Sequence, residues 1–358
     1  MNYILKNGEQ EMLLLRELYE AWGYSHFKMS KFEEYDLYAK NKDFLLSGNI
    51  LTFTDPNGKL MALKPDVTIS IIKNSSDESE NLEKVYYNEN VYRAESGSFK
   101  EIMQTGLECI GKIDIFSICE VITLAAKSLE RFSENYVLDI SHMGILGEIL
   151  DDIGADEETR QEIIGCIEKK SLHELDSVCK DMGEDVKKKL SELILLDSDP
   201  EKGLNELKAI CENSKAIKEL ERIIKVLENE KINLRLDFSV VQDMSYYNGI
   251  VFQGFIDGIP EKLLSGGQYD KLVERMGKNS GAIGFGISTE LLSKLEKKPK
   301  SVADVLVIYD ENADTLELMS EVSKLIESGK RVEVQRYADR KKKYGAVMKF
   351  ENGGLVNV

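Results

Sequence analysis

Long apolar runs are absent from this sequence. No uninterrupted apolar segment approaches the roughly 18 residues that a membrane-spanning helix requires. The first residues, 1–8, contain no apolar core of the length found in a secretory signal. We therefore expect a cytoplasmic protein that does not associate with membranes.

Cysteine and histidine are few and scattered. A disulfide framework or a structural zinc site usually shows paired spacings such as Cys-x-x-Cys or His-x-x-x-His. None of these spacings occurs among the five cysteines and three histidines. We therefore expect ordinary core or surface residues here, and neither a metal nor a disulfide. The residues concerned are Cys109, Cys119, Cys166, Cys179, Cys211, His26, His142 and His173.

Positive charge is in deficit, with 47 basic against 64 acidic side chains and a net charge of −17. Binding to a nucleic-acid backbone relies on clustered Lys and Arg that displace counterions. The one dense basic run is Arg340-Lys341-Lys342-Lys343, which we interpret as the solvated face of a helix. The composition therefore favours a protein without a nucleic-acid partner.

Apolar residues make up 42% of the 358 residues, which is ample for a large buried core. A first helix is predicted over about residues 8–22, where apolar side chains recur at spacings of three and four. Gly23 follows as the residue that ends this helix. The predicted apolar stripe consists of Leu14, Leu15, Leu18, Tyr19 and Trp22.

Strand-like and helical segments then follow in blocks. A hairpin is predicted around the turn Asp55-Pro56-Asn57-Gly58, and further strands on either side of a loop at 96–98. Residues from about 143 to 230 have helical periodicity and almost no strand signal, so we predict an all-helical insertion. Strand character returns near 232–238 and 249–255.

A polar linker at 297–300 precedes a last unit of a different kind. That unit is predicted as a strand at 304–308, a helix at about 312–327 and a strand at 331–334, which is a small α/β module. Length and this change of pattern suggest one large domain, 1–299, and one small domain, 300–358.

Five spaced segments resemble those of histidyl-tRNA synthetase and occur in that family's order. They match its Leu-Arg-Pro-Glu/Asp-x-Thr segment, class II motif 2 with its return strand, the histidine-specific segment, the Gly-Gly-Arg-Tyr-Asp segment and motif 3. In this chain they are Met61–Thr68 (MALKPDVT), Tyr92–Glu95 (YRAE) with Gln104–Glu108 (QTGLE), Val241–Gly249 (VQDMSYYNG), Gly266–Asp270 (GGQYD) and Gly284–Leu291 (GFGISTEL).

The resemblance implies an α+β fold of the class II aminoacyl-tRNA synthetase type. Such a fold has an antiparallel sheet flanked by helices, with a helical insertion and, here, a shortened C-terminal α/β module. It also implies a self-dimer formed through the first helix and motif 1. The proline of motif 1 is missing around Met29-Ser30-Lys31.

The arginines that the family uses to hold ATP are largely missing. Adenylation brings a carboxylate next to a phosphate, and guanidinium groups are the side chains best suited to offset that repulsion. By the resemblance, Arg93, Glu95 and Lys100 form a residual nucleotide pocket. At the other arginine positions, the chain has Ser98, Gln242, Gln268 and Leu291. Losing several oriented charges together should abolish adenylation.

The positions that hold histidine in the family are retained. Carboxylates and a hydroxyl suit an ammonium group, and a carboxylate with an amide or phenol can pair with both imidazole nitrogens. An equally open interpretation is that these are polar core residues that satisfy one another. The residues are Asp66, Thr68, Gln104, Glu108, Tyr246 and Tyr247.

A synthetase-like chain without nucleotide chemistry resembles the regulatory subunits of ATP phosphoribosyltransferase. The segment Tyr246–Phe252 (YYNGIVF) is close to their Tyr-His-Thr-Gly-Ile-Val-Phe stretch. The resemblance implies a non-catalytic chain without a cofactor, which acts in the first step of histidine biosynthesis. Its implied partner is a short catalytic subunit in a hetero-octamer, with histidine as effector. An active histidyl-tRNA synthetase and a stand-alone histidine sensor remain the alternatives.

Overall fold

The computed structural model describes residues 7–45, 50–76, 81–95, 97–211, 214–240, 246–295, 302–339 and 342–358. The chain divides into two compact units, 1–295 and 296–358. The first unit contains the motif segments quoted above, and the second contains the predicted α/β module.

The helices of the described chain are α1 (Asn7–Ala21), α2 (Tyr35–Lys40), α3 (Thr68–Asn74), α4 (Ile115–Glu130), α5 (Met143–Asp152), α6 (Glu157–Glu168), α7 (Leu172–Val178), α8 (Glu184–Ile194), α9 (Pro200–Ile210), α10 (Lys215–Asn229), α11 (Asp270–Arg275) and α12 (Thr315–Glu327). Two further segments, Lys42–Phe44 and Thr289–Leu295, form 3-10 helices.

The strands are β1 (Ser25–His26), β2 (Phe32–Glu34), β3 (Thr52–Thr54), β4 (Leu60–Leu63), β5 (Glu83–Glu95), β6 (Ser98–Gly111), β7 (Tyr136–His142), β8 (Leu234–Leu236), β9 (Ile250–Ile256), β10 (Ile259–Gln268), β11 (Gly281–Ser288), β12 (Ala303–Ile308), β13 (Val332–Gln335), β14 (Tyr344–Glu351) and β15 (Gly354–Asn357).

An eight-stranded sheet forms the centre of the first unit, in the order β1-β5-β6-β11-β10-β9-β7-β8. The six strands from β5 to β7 in this order pair antiparallel with one another. The two outer strands, β1 and β8, run parallel to theirs. This mixed sheet with flanking helices confirms the predicted class II synthetase-like architecture. Its longest pairing is the β5–β6 hairpin, which extends from the Glu83–Ile110 pair to the Glu95–Ser98 pair.

The hairpin predicted around residues 55–58 is present and belongs to a small three-stranded sheet. β3 and β4 pair antiparallel, as predicted, and β2 adds to the free edge of β4. β2 has three residues, Phe32–Glu34, which is too short for a clear alternation of apolar and polar side chains. Because β4 leads directly into the segment before α3, this small sheet helps to place that segment.

The first helix packs on the large sheet through part of its predicted stripe. Leu15, Leu18 and Tyr19 are buried, but Trp22 is 36% exposed, so its predicted place on the buried stripe is wrong. The reason is the helix end: α1 stops at Ala21, before Trp22 completes another turn. Gly23, at φ +82°, ends the helix in the left-handed conformation that glycine adopts most easily.

Residues Met143 to Asn229 hold six helices, α5 to α10, and their described part contains no strand. Five of these helices begin at a side chain that accepts a backbone N–H, which satisfies donors that a helix start leaves open. The capping residues are His142, Asp156, Ser171, Asp199 and Ser214. α10 buries its predicted apolar face, formed by Ile217, Leu220, Ile224 and Leu227, in the main hydrophobic core.

The C-terminal unit is a four-stranded sheet in the order β13-β12-β14-β15, with α12 contributing to its core. The predicted strand–helix–strand order is present, but β14 and β15 were not predicted. Their turn contains Asn352 at φ +50° and Gly353 at φ +77°, and an Asn-Gly pair is the strongest short hairpin signal. The helix predicted for the basic run is wrong, because Lys342 and Lys343 lie in the loop before β14. Arg340 and Lys341 lie outside the described residues.

Two further features concern the described residues alone. None of their helices is both long and apolar enough to cross a membrane. No group of three or more His, Cys, Asp or Glu side chains within them is arranged to hold a metal ion.

The core position of α10 gives a first prediction. Leu220 is fully buried, and Leu220→Ala should lower the free energy of unfolding by about 2–5 kcal/mol, because the removed methyl groups leave a cavity. Glu228→Ala, on the exposed side of the same helix, should change it by less than about 0.5 kcal/mol. Urea unfolding of both variants measures this, and a small effect of Leu220→Ala would contradict the packing described here.

Candidate functional site

A cavity of about 310 Å³ lies on one face of the large sheet. Its volume is at the lower end of the range for small-molecule sites, about 300–1,000 Å³. All six residues predicted to hold histidine line it: Asp66, Thr68, Gln104, Glu108, Tyr246 and Tyr247. They come from the start of α3, from β6 and from the segment before β9, so the sheet and its connections bring together residues that are distant in sequence.

Glycines on β6 and β11 permit close contacts beside the cavity. A Cβ on Gly106 would come within 2.1 Å of the Phe285 carbonyl oxygen. A Cβ on Gly284 would come within 1.7 Å of Glu108 Oε2. These distances are far below van der Waals contact, so Gly284 provides the space that the Glu108 carboxyl group occupies.

Glu108 is the most enclosed charged group of the cavity, with only 2% of its surface exposed. The Thr68 hydroxyl donates to its Oε1 at 2.8 Å, and the Tyr269 hydroxyl donates to its Oε2. Burial raises the pKa of Glu108 to about 8, against the opposing effect of these two hydrogen bonds. A cation placed beside Glu108 would favour the ionised carboxylate and would itself gain a strong partner.

Asp66 forms the second acidic group of the cavity. Burial raises its pKa, while the Ile69 N–H and the nearby Arg93 act in the opposite direction. The Ile69 N–H donates to Asp66 Oδ1 at 3.0 Å, and Arg93 Nε donates to the Pro65 carbonyl at 3.0 Å. These contacts fasten the segment that carries Asp66 to the start of α3 on one side and to β5 on the other.

Aromatic rings form one wall of the cavity. The Tyr246 ring lies 4.4 Å from that of Tyr247, and 5.7 Å from the rings of both Phe44 and Tyr269. Such separations are typical of favourable aromatic pairs. Sequence reasoning missed Phe44, Tyr87 and Tyr269 as cavity residues. Tyr269 lies in the GGQYD segment that carries the family resemblance, which was the available signal.

Apart from Arg93, the described residues at the family's arginine positions do not line this cavity. Leu291 packs against the main hydrophobic core. Gln268 donates through its amide to Asp270 Oδ2 at 2.7 Å and does not line the cavity. Ser98 and Lys100 are exposed near the turn of the β5–β6 hairpin, also away from the lining. Gln242 and the side chain of Glu95 lie outside the described residues.

Of the two residual nucleotide-pocket residues whose side chains the structure describes, Arg93 lines the cavity and Lys100 does not. Lys262 is the other basic residue in the described lining, which also contains two acids, Asp66 and Glu108. A triphosphate needs several fixed cations around it. The near balance of charge here instead suits a small molecule that carries both a cationic and an anionic group.

The profile of the family described as Histidyl-tRNA synthetase matches residues 6–292 of this chain. Relatives with two different names share this similarity. An ATP phosphoribosyltransferase regulatory subunit of Caldanaerobacter subterraneus subsp. tengcongensis is 32% identical over 80% of this chain and 78% of its own. A histidine–tRNA ligase of Methanocaldococcus jannaschii is 28% identical over 90% of this chain and 80% of its own.

Solved structures share the fold. An ATP phosphoribosyltransferase regulatory subunit/histidyl-tRNA synthetase from Bacillus halodurans aligns with a TM-score of 0.78 at 23% identity, over 96% of this chain and 93% of that one. A chain of an ATP phosphoribosyltransferase (HisG:HisZ) complex from Thermotoga maritima aligns with a TM-score of 0.65 at 19% identity, over 79% and 97%. At these identities the structural likeness concerns the fold alone.

The burial of Glu108 predicts a pH dependence of stability. Its pKa is about 8 in the folded chain, against an ordinary value of 4.5, so the folded chain holds this proton more tightly than the unfolded chain. The contribution of this proton to the free energy of unfolding is fully present below about pH 4.5 and is lost as the pH rises through 8. Between pH 5 and 8 the free energy of unfolding should fall by on the order of 4 kcal/mol.

Glu108→Gln should therefore flatten the decline of the free energy of unfolding between pH 5 and 8. Urea unfolding at several pH values measures it. Glu101→Gln is the matched control, because Glu101 is exposed on the same strand. If Glu108→Gln and the unaltered chain showed the same pH profile, the carboxyl would not be buried in its neutral form.

Proposed function

The chain belongs to the histidyl-tRNA synthetase family, and we propose that it acts as a non-catalytic regulatory subunit of ATP phosphoribosyltransferase. In this role it would be required for the activity of a short catalytic subunit and for inhibition of that subunit by histidine. The relatives that carry this name, one of them 32% identical over 80% of the chain, support the proposal.

The observation that carries the proposal is the charge of the cavity. The acids and tyrosines at the family's histidine positions line it, whereas the apolar Leu291 and the neutral Gln268 occupy arginine positions and lie outside the lining. Removing even one oriented hydrogen-bond donor from an active site costs about 2.7–4 kcal/mol of transition-state stabilisation. A cavity that lacks several such oriented groups can still bind an amino acid, but it loses adenylation.

Histidine is the proposed ligand of the cavity. Its ammonium group would be held by acids such as Asp66, and its imidazole by Glu108 with Tyr246 and Tyr247. A buried carboxyl that already accepts hydrogen bonds from Thr68 and Tyr269 is fixed in position. Little ordering of side chains would then accompany binding, which favours affinity.

The proposed partner is the short catalytic chain of ATP phosphoribosyltransferase. A chain with this fold occurs in the solved ATP phosphoribosyltransferase (HisG:HisZ) complex of Thermotoga maritima. Feedback inhibition requires that histidine bind the inhibited assembly more tightly than the active one, since a ligand with equal affinity for both shifts nothing. Equal numbers of the two subunits in a hetero-octamer, with a self-dimer of this chain inside it, complete the proposal.

A histidine–tRNA ligase is the second candidate, because a relative of that name is 28% identical over 90% of the chain. A stand-alone histidine sensor is the third function consistent with the retained cavity. The two experiments below separate these candidates.

Mixing this chain with a lone short catalytic subunit should restore phosphoribosyl transfer from phosphoribosyl pyrophosphate to ATP. The chain alone should give no histidine-dependent exchange between ATP and pyrophosphate above background, because the phosphate-binding cations are missing. Exchange at the rate of an ordinary synthetase would replace the proposal with the ligase. Failure to activate any catalytic subunit, with histidine binding intact, would favour the sensor.

Histidine titrated into the chain in a calorimeter should bind, and Glu108→Ala should weaken that binding by about 10- to 100-fold. This range corresponds to the roughly 1.5–3 kcal/mol of a hydrogen bond to a charged group. Glu101→Ala, on the exposed part of the same strand, should leave the affinity unchanged. Equal affinities of the Glu108→Ala variant and the unaltered chain would place histidine elsewhere, for example at a subunit interface.

A further inference from the structure

Lys278 lies outside the cavity lining but contacts the far end of the helix that carries Thr68. Its ammonium group donates to the carbonyl oxygens of Ile72 and Ser75, and to Ser75 Oγ at 2.8 Å. The last carbonyls of a helix have no partner within the helix, and a cation near them also favours the helix dipole. Lys278 is therefore a C-terminal cap for α3 that comes from a segment about 200 residues away.

The other end of α3 meets the cavity. The Ile69 N–H donates to Asp66, and the Thr68 hydroxyl donates to Glu108. α3 has only seven residues, and a helix of that length is not stable by itself. Its position therefore depends on its surroundings. Ile69, Ile71 and Ile72 pack in a hydrophobic core, and its two ends are held by the cavity acids and by Lys278.

The segment that leads to Lys278 begins at Tyr269, which contacts Glu108. Tyr269, whose hydroxyl donates to Glu108, directly precedes α11. After α11, Gly277 at φ +83° ends the helix, and the Lys278 N–H donates back to the Val273 carbonyl at 3.2 Å. The backbone of Lys278 is thus fixed to the same short helix that begins next to Tyr269.

These contacts form a closed ring: Glu108 to Tyr269, along α11 to Lys278, across to the end of α3, and back through Thr68 to Glu108. The helices α3 and α11 are thus linked at both ends. The Glu108 carboxyl group links them at the cavity, and the Lys278 ammonium group links them outside it. We propose that Lys278 is a positioning residue of the cavity, which holds α3 against α11 so that Thr68 and Tyr269 both reach Glu108.

The inference rests on the proposed function only in so far as histidine is the ligand. The ring keeps Glu108 enclosed. This enclosure can be measured without any ligand, because it determines how much the free energy of unfolding falls between pH 5 and 8. Within the cavity, the other acid near Glu108 is Asp66. The neighbouring tyrosines, Tyr87, Tyr246, Tyr247 and Tyr269, all have raised pKa values and stay neutral in this range.

The test uses the full chain with Lys278→Met, which keeps an unbranched apolar side chain one atom shorter and removes the donors. Lys278→Arg keeps the charge and several donors and is the rescue variant. Lys170→Met is the matched control, because Lys170 joins distant segments through Asp237 at 2.8 Å, away from the cavity lining. Urea unfolding from pH 5 to 8 and calorimetry with histidine are the two readouts.

Lys278→Met should lose at least half of the pH-dependent decline, because a loosened ring admits water to Glu108. It should also weaken histidine binding about tenfold, with Lys278→Arg within about threefold of the unaltered chain and Lys170→Met equal to it. If Lys278→Met lowered stability equally at every pH and left the affinity unchanged, Lys278 would be a structural cap only, and the proposal would be overturned.

If Lys278→Met does not fold, Lys278→Gln, which keeps two donors on a shorter chain, takes its place. Its pH-dependent decline should then lie below that of Lys278→Arg, and equal declines in both would overturn the proposal. Absence of histidine binding by the unaltered chain would defeat the proposed ligand. The pH readout would still decide the role of Lys278.

Discussion

The cavity is organised by the burial of one carboxyl group, that of Glu108. A carboxyl removed from water is tolerated only when its oxygens find hydrogen-bond partners. Thr68 and Tyr269 provide them, and they come from segments on opposite sides of Glu108 in the sequence. Gly284 leaves room for the group on the adjacent strand. The chain therefore brings three separate segments together around a single polar group.

The distribution of charge separates the two ligands that the family handles. Histidine carries one ammonium group and an imidazole, for which two acids and several tyrosines are sufficient. ATP carries a polyanionic chain that needs fixed cations. In this chain the acids line the cavity, while the motif 3 position holds Leu291, which is partly buried and packs against the hydrophobic core. An apolar side chain at this position cannot pair with a phosphate group.

Much of the secondary structure could be predicted from the sequence. The α1 helix, the helical character of residues 143–230 and the strands on either side of the loop at 96–98 follow from local periodicity, because a helix or a half-buried strand repeats its apolar positions within one turn or pleat. The failures have local reasons. β2 is too short to show a pattern, and Trp22 lies beyond the last residue of its helix. The hairpin of β14 and β15 was missed, although Asn352-Gly353 marked its turn.

For the site, the sequence determined the types of residues available: the retained acids and tyrosines, and the missing arginines. These are properties of single positions within short motifs, so no long-range information is needed to read them. The tertiary structure decided which of them meet. Glu108 and Tyr269 are 161 residues apart, and Lys278 is 203 residues from Ser75. The burial that raises the pKa of Glu108 exists only once these segments have packed around it, because desolvation is a property of the folded surroundings and not of the residue.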